Sequence, residues 1–353
     1  MAELQEYFLK FHKIIKLSDI DENATLREKR DIVINKLRDR LKQIFEEKWE
    51  FAPSFTHFNQ GSYAMGTGIE PFKKGDYDID VGLEFHIDKE DYPDPVKVKQ
   101  WVFDALNRHT NRVECRKPCV TVFYQSNDEP IYHVDLAIYA KSSEEDVLYL
   151  ARGKLNSSSE ERVWETSEPK KLMELIKDKF SEADDRKQFR RVIRYLKRWK
   201  DMQFSSSGNA APIGIGITVA AYYWFNVGKY QDPFTGKVTY NDFLALKSFV
   251  DRLISKFSYV YNEEELALRL QVELPVLPKK DLFEKMTNKH MSDFKEKLEL
   301  LQGTLEEVGQ EADPHEACKK LRRKFGDDFP VPDKKKTASK SVAPAIISSS
   351  SSA

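Results

Sequence analysis

Gln60-Gly61-Ser62-Tyr63-Ala64-Met65-Gly66-Thr67-Gly68, followed by Asp76-Tyr77-Asp78-Ile79-Asp80-Val81, is the stretch on which the fold turns. Successive strand residues face opposite sides, so Asp78 and Asp80 point one way while Ile79 and Val81 face the opposite layer. Two carboxylates thereby share one rim. A third acid with the same apolar flanks, Asp135 in His133-Val134-Asp135-Leu136-Ala137, can join them from an adjacent strand.

Three carboxylates within about 4 Å of one another repel by a few kcal/mol per pair at an effective dielectric of about 20, so the cluster calls for a cation. Mg²⁺ suits it, with Mn²⁺ as a substitute, because it takes hard oxygen ligands and completes its octahedron with water and substrate phosphates. Two such ions bridged by Asp78 and Asp80 could activate a ribose hydroxyl and hold a triphosphate, with Asp135 on the hydroxyl side. Gly61-Ser62 ends the strand-like run SFTHFNQ and precedes a short helical segment, SYAMGT. Backbone N–H groups at such a corner form an anion nest, and the Ser62 hydroxyl adds a donor. No Gly-Lys-Ser/Thr follows, which excludes a Walker loop.

Outward from this centre, the 353-residue chain is 40% hydrophobic and 33% charged with a net charge of -1. That composition excludes wholesale disorder, and the length favours two lobes. With no global field, any site for a polyanion must be built locally. Three cysteines, Cys115, Cys119 and Cys318, argue against a disulfide framework, and Cys115-x3-Cys119 lacks the partners of a zinc site. The charged N-terminal stretch does not read as a signal peptide. The apolar stretch from Ile213 to Gly228 carries three glycines and reads as a buried helix rather than a membrane span.

Leu4, Phe8, Phe11 and Ile15, then Leu26, Val33, Leu37, Leu41 and Ile44, recur at helical spacing, with Thr25-x-x-Glu28 as a capping box for the second helix. From about residue 52 the texture changes to short β-rich runs, interrupted by one helix near Pro95 to His109. After residue 165 it is helical: about 170–180, 184–201, 212–225, 240–257, 281–303 and 314–325. The order is helices, mixed α/β, then helices, an α+β chain. The last residues, rich in Pro, Lys and Ser, read as a flexible tail.

The Gln60-Gly61-Ser62, Asp78-Ile79-Asp80 and Asp135 arrangement resembles the DNA polymerase β-like nucleotidyltransferases, and within them the cGAS/DncV-like nucleotidyltransferases (CD-NTases) of bacterial CBASS anti-phage systems. Trp164-Glu165-Thr166-Ser167-Glu168-Pro169 is similar to the family's link from the catalytic sheet to the helical lobe. The resemblance runs over about residues 1–330. It implies N-terminal helices packing across both lobes (1–50), a catalytic core with a mixed sheet (51–165), a C-terminal helical lobe (166–330) and the tail (331–353). It implies a bacterial cytoplasmic enzyme that takes ATP and other NTPs, releases pyrophosphate and closes a cyclic di- or trinucleotide messenger, reaching a downstream effector through that diffusible product. Asp78, Asp80 and Asp135 become the catalytic metal ligands for two Mg²⁺ ions, and Gln60, Gly61, Ser62 and Tyr63 the donor-triphosphate loop. Neither membrane nor obligate nucleic acid is implied. A ubiquitin-transfer-like operon partner acting on the tail is the remaining partner the resemblance suggests.

In Phe189-Arg190-Arg191-Val192-Ile193-Arg194-Tyr195-Leu196-Lys197-Arg198-Trp199 the apolar residues share one side while Arg190, Arg194 and Lys197 line another. The family's triphosphate lysine lies in a matching helix, which points to Lys197 first and Arg194 second. The serine that the family often carries at the start of the next helix is missing, for Pro212-Ile213-Gly214-Ile215-Gly216 offers no hydroxyl before Thr218. The zinc-ribbon insertion of the animal relatives is missing too. His133 reads as a packing or surface residue rather than a proton acceptor, and Asp76 as a loop residue. Tyr63, Trp164 and Tyr259 are candidates for base stacking, with core packing as the default for each and Tyr63, by its neighbours, the exception to expect. Two other functions remain open: a template-independent nucleotidyltransferase making linear chains, and a catalytically silent nucleotide-binding module. The acidic trio argues against the second, since a protein without a metal to bind gains nothing from it.

Overall fold

The two N-terminal stretches of helical spacing form α1 (Gln5–Ile15) and α2 (Ala24–Glu46), and they serve different cores. Phe8, Phe11 and Ile15 of α1 are fully buried among the C-terminal helices, whereas Val33, Leu37 and Leu41 of α2 lie on the sheet. The computed structural model describes residues 2–17, 24–73, 75–126, 129–141, 147–205, 208, 210–262 and 265–334. The Thr25 side chain of the expected capping box and residues 335–353 of the tail lie outside them.

The first half continues with β1 (Phe55–Asn59), α3 (Gly61–Ala64), β2 (Tyr77–Phe85), α4 (Pro95–Leu106), β3 (Arg112–Cys115), β4 (Val120–Ser126), β5 (Glu129–Lys141), β6 (Leu148–Arg152) and β7 (Val163–Ser167). These strands make one seven-stranded sheet in the order β1-β2-β5-β4-β3, with β6 paired to β5 and β7 to β6. β2 and β5 run parallel, while the other pairs are antiparallel, so the sheet is mixed. Ile79, Val81 and Leu83 of β2 and Val134, Leu136 and Ile138 of β5 are fully buried under α2 and α4. A parallel pair covered by helices needs such apolar runs, and its acids are left on the opposite face. Asp94 caps α4 by accepting from Val96 N, with Pro95 in the first turn. β7 is a strand where the sequence suggested only a link; the Trp164 Nε1 bond to Tyr92 O and the Arg152–Glu165 ion pair hold it on the sheet.

The second half comprises α5 (Pro169–Lys177), α6 (Ala183–Gln203), α7 (Gly214–Trp224), β8 (Lys229–Gln231), β9 (Val238–Tyr240), α8 (Asp242–Ser255), β10 (Ser258–Asn262), β11 (Glu265–Arg269), α9 (Asn288–Gln310) and α10 (Pro314–Phe325). Two hairpins thus interrupt the expected run of helices. The first closes on Asp232, whose Oδ1 accepts from Phe234 N and Thr235 N, before Gly236 at φ +68°. α9 starts at Asn288 rather than near 281, because the Thr287 side chain caps it while Asp281 accepts from Val272 N and Phe283 N in the preceding turns. At the centre of this half, Asp242 is fully buried and accepts from Arg191 (2.6 and 2.7 Å), Tyr195 OH (2.9 Å) and Gln188 (3.2 Å). Among the described residues no helix is long and apolar enough to cross a membrane.

Candidate active site

The register of the parallel pair decides the acidic cluster: Asp78 of β2 stands opposite His133 of β5, and Asp80 opposite Asp135. All four project from one face. One ligating atom each from Asp78, His133 and Asp135 lie within 4.8 Å of one another. Burial, then the charges of Asp78 and Asp135, hold the Asp80 carboxyl well above the ordinary range. Asp135 is raised too, by burial first, although Thr121 Oγ1 donates to its Oδ1 at 2.5 Å. Carboxylates converging with a repulsion that His133, Lys197 and Arg116 offset only in part are the donor set a divalent cation satisfies, and these residues fit one.

Opposite the acids stands the corner after β1. Gly61 has φ +69°, and a Cβ there would lie 1.8 Å from Asp80 Oδ2, so glycine is required both by the backbone and by the contact. Gln60 N donates to Asp80 O, and Tyr139 OH of β5 donates to Gln60 Oε1 at 3.0 Å. The Gly61-Ser62 corner is therefore tied to the strands that carry the acids. Tyr63 is buried in the sheet core rather than set out for stacking, with its hydroxyl unpartnered. Burial, then Asp78, raises that hydroxyl's pKa. Trp164 packs on the same core, and Tyr259 is exposed on the β10–β11 hairpin.

α6 buries both of its faces. Phe189, Val192, Ile193, Leu196 and Trp199 enter the helical core. The basic side closes on the backbone that follows α3: Arg194 donates to Gly66 O and Gly68 O, Lys197 to Thr67 O and Oγ1, and Arg198 to Glu70 O. Leu17 N to Gly68 O and Glu70 N to Ile15 O bring the end of α1 to the same loop. Arg194 is thus spent on fixing the loop and does not line the cleft. Lys197 does line it; burial, then Lys200 and Arg194, bring its amine down to about 7.

The cleft between the halves has a volume of about 640 Å³ and takes in Gln60, Gly61, Ser62, Asp78, Asp80 and Lys197. Several of its residues escaped the sequence reading. Lys200 and Asp201, paired at 2.9 Å near the end of α6, face it, as do Pro169, Leu172 and Met173 around α5. Lys200 lies about one turn beyond Lys197 in Lys197-Arg198-Trp199-Lys200-Asp201, and spacing alone does not separate the two. Asp76 and His133 are site residues as well: His133 Nδ1 meets Asp76 Oδ2 at 2.6 Å and its Nε2 meets Asp78 Oδ1 at 3.1 Å. Burial opposes the imidazolium, but Asp78, Asp135 and Asp76 lift its pKa to about 9. The register against Asp78 is the signal that identifies His133. Thr218 is buried and donates to Gly214 O within α7.

Residues 55–139, which hold Gln60 to Tyr63 and all three acids, match the family model for the nucleotidyltransferase domain of cyclic GMP-AMP synthase DncV-like proteins. A cyclic GMP-AMP synthase of Escherichia albertii is 26% identical over 221 residues, 60% of this chain and 45% of that protein. The match thus spans less than half of that relative. Among solved structures, Vibrio cholerae DncV cyclic AMP-GMP synthase superposes with a TM-score of 0.71 at 20% identity, over 94% of this chain and 98% of that one. The same enzyme in complex with the linear intermediate 5' pppA(3',5')pG gives 0.68 at 20% identity, over 92% and 97%. Residues 55–139 thus match a DncV-like nucleotidyltransferase domain, and the chain as a whole shares the fold of Vibrio cholerae DncV.

Proposed function

We propose that the chain synthesises a cyclic oligonucleotide from nucleoside triphosphates. The observation that carries this reading is that Asp78 and Asp80 of β2 and Asp135 of β5 share one face, Asp80 opposite Asp135 in register and Asp78 within 4.8 Å of Asp135, with Asp78, Asp80, Gly61 and Ser62 all lining one cleft. A ribose hydroxyl of one nucleotide attacks the α-phosphorus of another; the new O–P bond forms as the α–β bridge breaks, and pyrophosphate leaves with the electron pair. A second such step within the linear product closes the ring. Two divalent cations, Mg²⁺ by donor type, would be held by Asp78, Asp80 and Asp135 and would supply charge neutralisation at the phosphates and acidification of the hydroxyl.

The protein's own residues set the rest. Thr121 fixes Asp135 by donating to its Oδ1, which would hold this carboxylate in place as a ligand of the cation on the hydroxyl side. Gln60, Gly61, Ser62 and Tyr63 form the donor-triphosphate loop, held at Asp80 by backbone and at Tyr139 by side chain. Lys197 presents an amine near neutrality at the wall of the cleft, and a phosphate would draw the proton back onto it. The relatives act on adenine and guanine nucleotides, which supports ATP and GTP as substrates here. A role in CBASS anti-phage defence, in the bacterial cytoplasm, is part of this proposal and is supported by the match of residues 55–139 to the DncV-like nucleotidyltransferase domain.

The test is incubation with each α-labelled triphosphate and Mg²⁺, then phosphatase and mass spectrometry. A phosphatase-resistant cyclic product is expected. Linear chains alone would replace this reading by a linear polymerase, and labelled triphosphate left intact would remove it.

A further inference from the structure

Residue 133 stands opposite Asp78 in the β2–β5 register, two positions before Asp135 and on the same face, so the metal face carries an imidazole among its carboxylates. The ring is fixed on two sides. Its Nδ1 lies 2.6 Å from Asp76 Oδ2, and its plane packs on Phe123 of β4 at a centroid distance of 5.8 Å. Nε2 is thereby aimed into the cluster, 3.1 Å from Asp78 Oδ1. Neighbouring donors at about 2.1 Å from an octahedral ion are about 3.0 Å apart, so the two atoms already sit at the spacing of adjacent ligands. A carboxylate holding the far nitrogen of a histidine while the near one faces an ion is also the common way proteins orient a ligating imidazole.

We infer that His133, oriented by Asp76, is itself a ligand of the divalent cation, giving the site a mixed nitrogen and oxygen donor set. This inference rests on the reading of Asp78, Asp80 and Asp135 as the metal site. Mg²⁺ favours all-oxygen surroundings, whereas Mn²⁺ accepts carboxylate and imidazole together. The chain should therefore bind Mn²⁺ about tenfold more tightly than Mg²⁺, and His133→Asn should remove most of that difference while costing at least about tenfold in Mn²⁺ affinity.

The deciding experiment is pulsed electron paramagnetic resonance of the full chain loaded with Mn²⁺ alone, with no nucleotide. Modulation from a directly bonded ¹⁴N nucleus is expected. It should convert to the ¹⁵N pattern when the unsubstituted chain is made with ¹⁵N-histidine, and vanish in His133→Asn. The labelled chain keeps the test valid even if the variant fails to fold. Mn²⁺ bound without nitrogen coupling would overturn the ligation and leave the carboxylate site standing. Failure to bind Mn²⁺ at all would overturn both.

Discussion

Gly61→Ala tests the geometry that joins the phosphate corner to the acids. The position has φ +69°, which costs an L-residue about 1 to 2 kcal/mol. The new methyl would stand 1.8 Å from Asp80 Oδ2 and 2.8 Å from Asp80 Cβ. Ordinary contact is about 3.5 Å, so the carboxylate must retreat by more than about 1.5 Å or the corner must swing away. A displacement of about 1 Å at reacting groups can cost about a hundredfold in rate. The fold should survive, because each kcal/mol is worth at most about 4 °C of melting temperature in a chain of this size. Turnover of labelled triphosphate should fall by at least about a hundredfold, with a melting shift of a few degrees. Gly303→Ala in α9, where a Cβ would meet nothing within 4 Å, is the control and should stabilise by about 0.5 to 1 kcal/mol with normal turnover. Gly61→Ala turnover within threefold of the parent would refute the reasoning.

Asp80→Asn should abolish product yet raise the melting temperature of the metal-free chain, because it removes a buried charge repelled by Asp78 and Asp135; a lower melting temperature would contradict the repulsion. Asp242→Asn leaves the Arg191 guanidinium without its counter-charge inside the helical half and should cost about 3 to 5 kcal/mol in urea unfolding, with a loss under 1 kcal/mol as the opposing result. Lys197 carries a native pKa of about 7 against 10.5 in the unfolded chain, so between these values the unfolded chain holds the extra proton. This group's contribution to stability therefore grows as pH rises from about 7 toward 10.5, at up to about 1.4 kcal/mol per pH unit, and that gain is gone once pH has fallen back to about 7, below which both states hold the proton. The stability difference between parent and Lys197→Met should follow that slope over pH 7 to 9.5, and a difference independent of pH would place the amine in water.

Much of the fold and of the acidic centre could be read from local pattern. Phe8, Phe11 and Ile15, and Val33, Leu37 and Leu41, announce two helices by spacing, and all six are buried. Asp78, Asp80 and Asp135 announce themselves as acids between apolar strand neighbours. What pattern could not supply was pairing. Whether Asp135 meets Asp80, and His133 meets Asp78, depends on a parallel register between strands distant in sequence, which no local rule fixes. The basic side of α6 shows the same limit: Arg190, Arg194 and Lys197 look like a solvated or ligand-facing stripe until the chain lays the backbone of Gly66, Thr67 and Gly68 against Arg194 and Lys197. The first hairpin of the second half carries a turn sequence, Asp232-Pro233-Phe234-Thr235-Gly236, but its strands, three exposed or half-exposed residues each, are too short to give a period.

Anomalous diffraction from crystals of the chain grown with Mn²⁺ and a nonhydrolysable triphosphate addresses the central claim most directly. Peaks are expected within about 2.3 Å of oxygens from Asp78, Asp80 and Asp135, with the triphosphate reaching back to Gly61-Ser62. Density for the nucleotide elsewhere, or no metal peak within about 3 Å of Asp135, would contradict it.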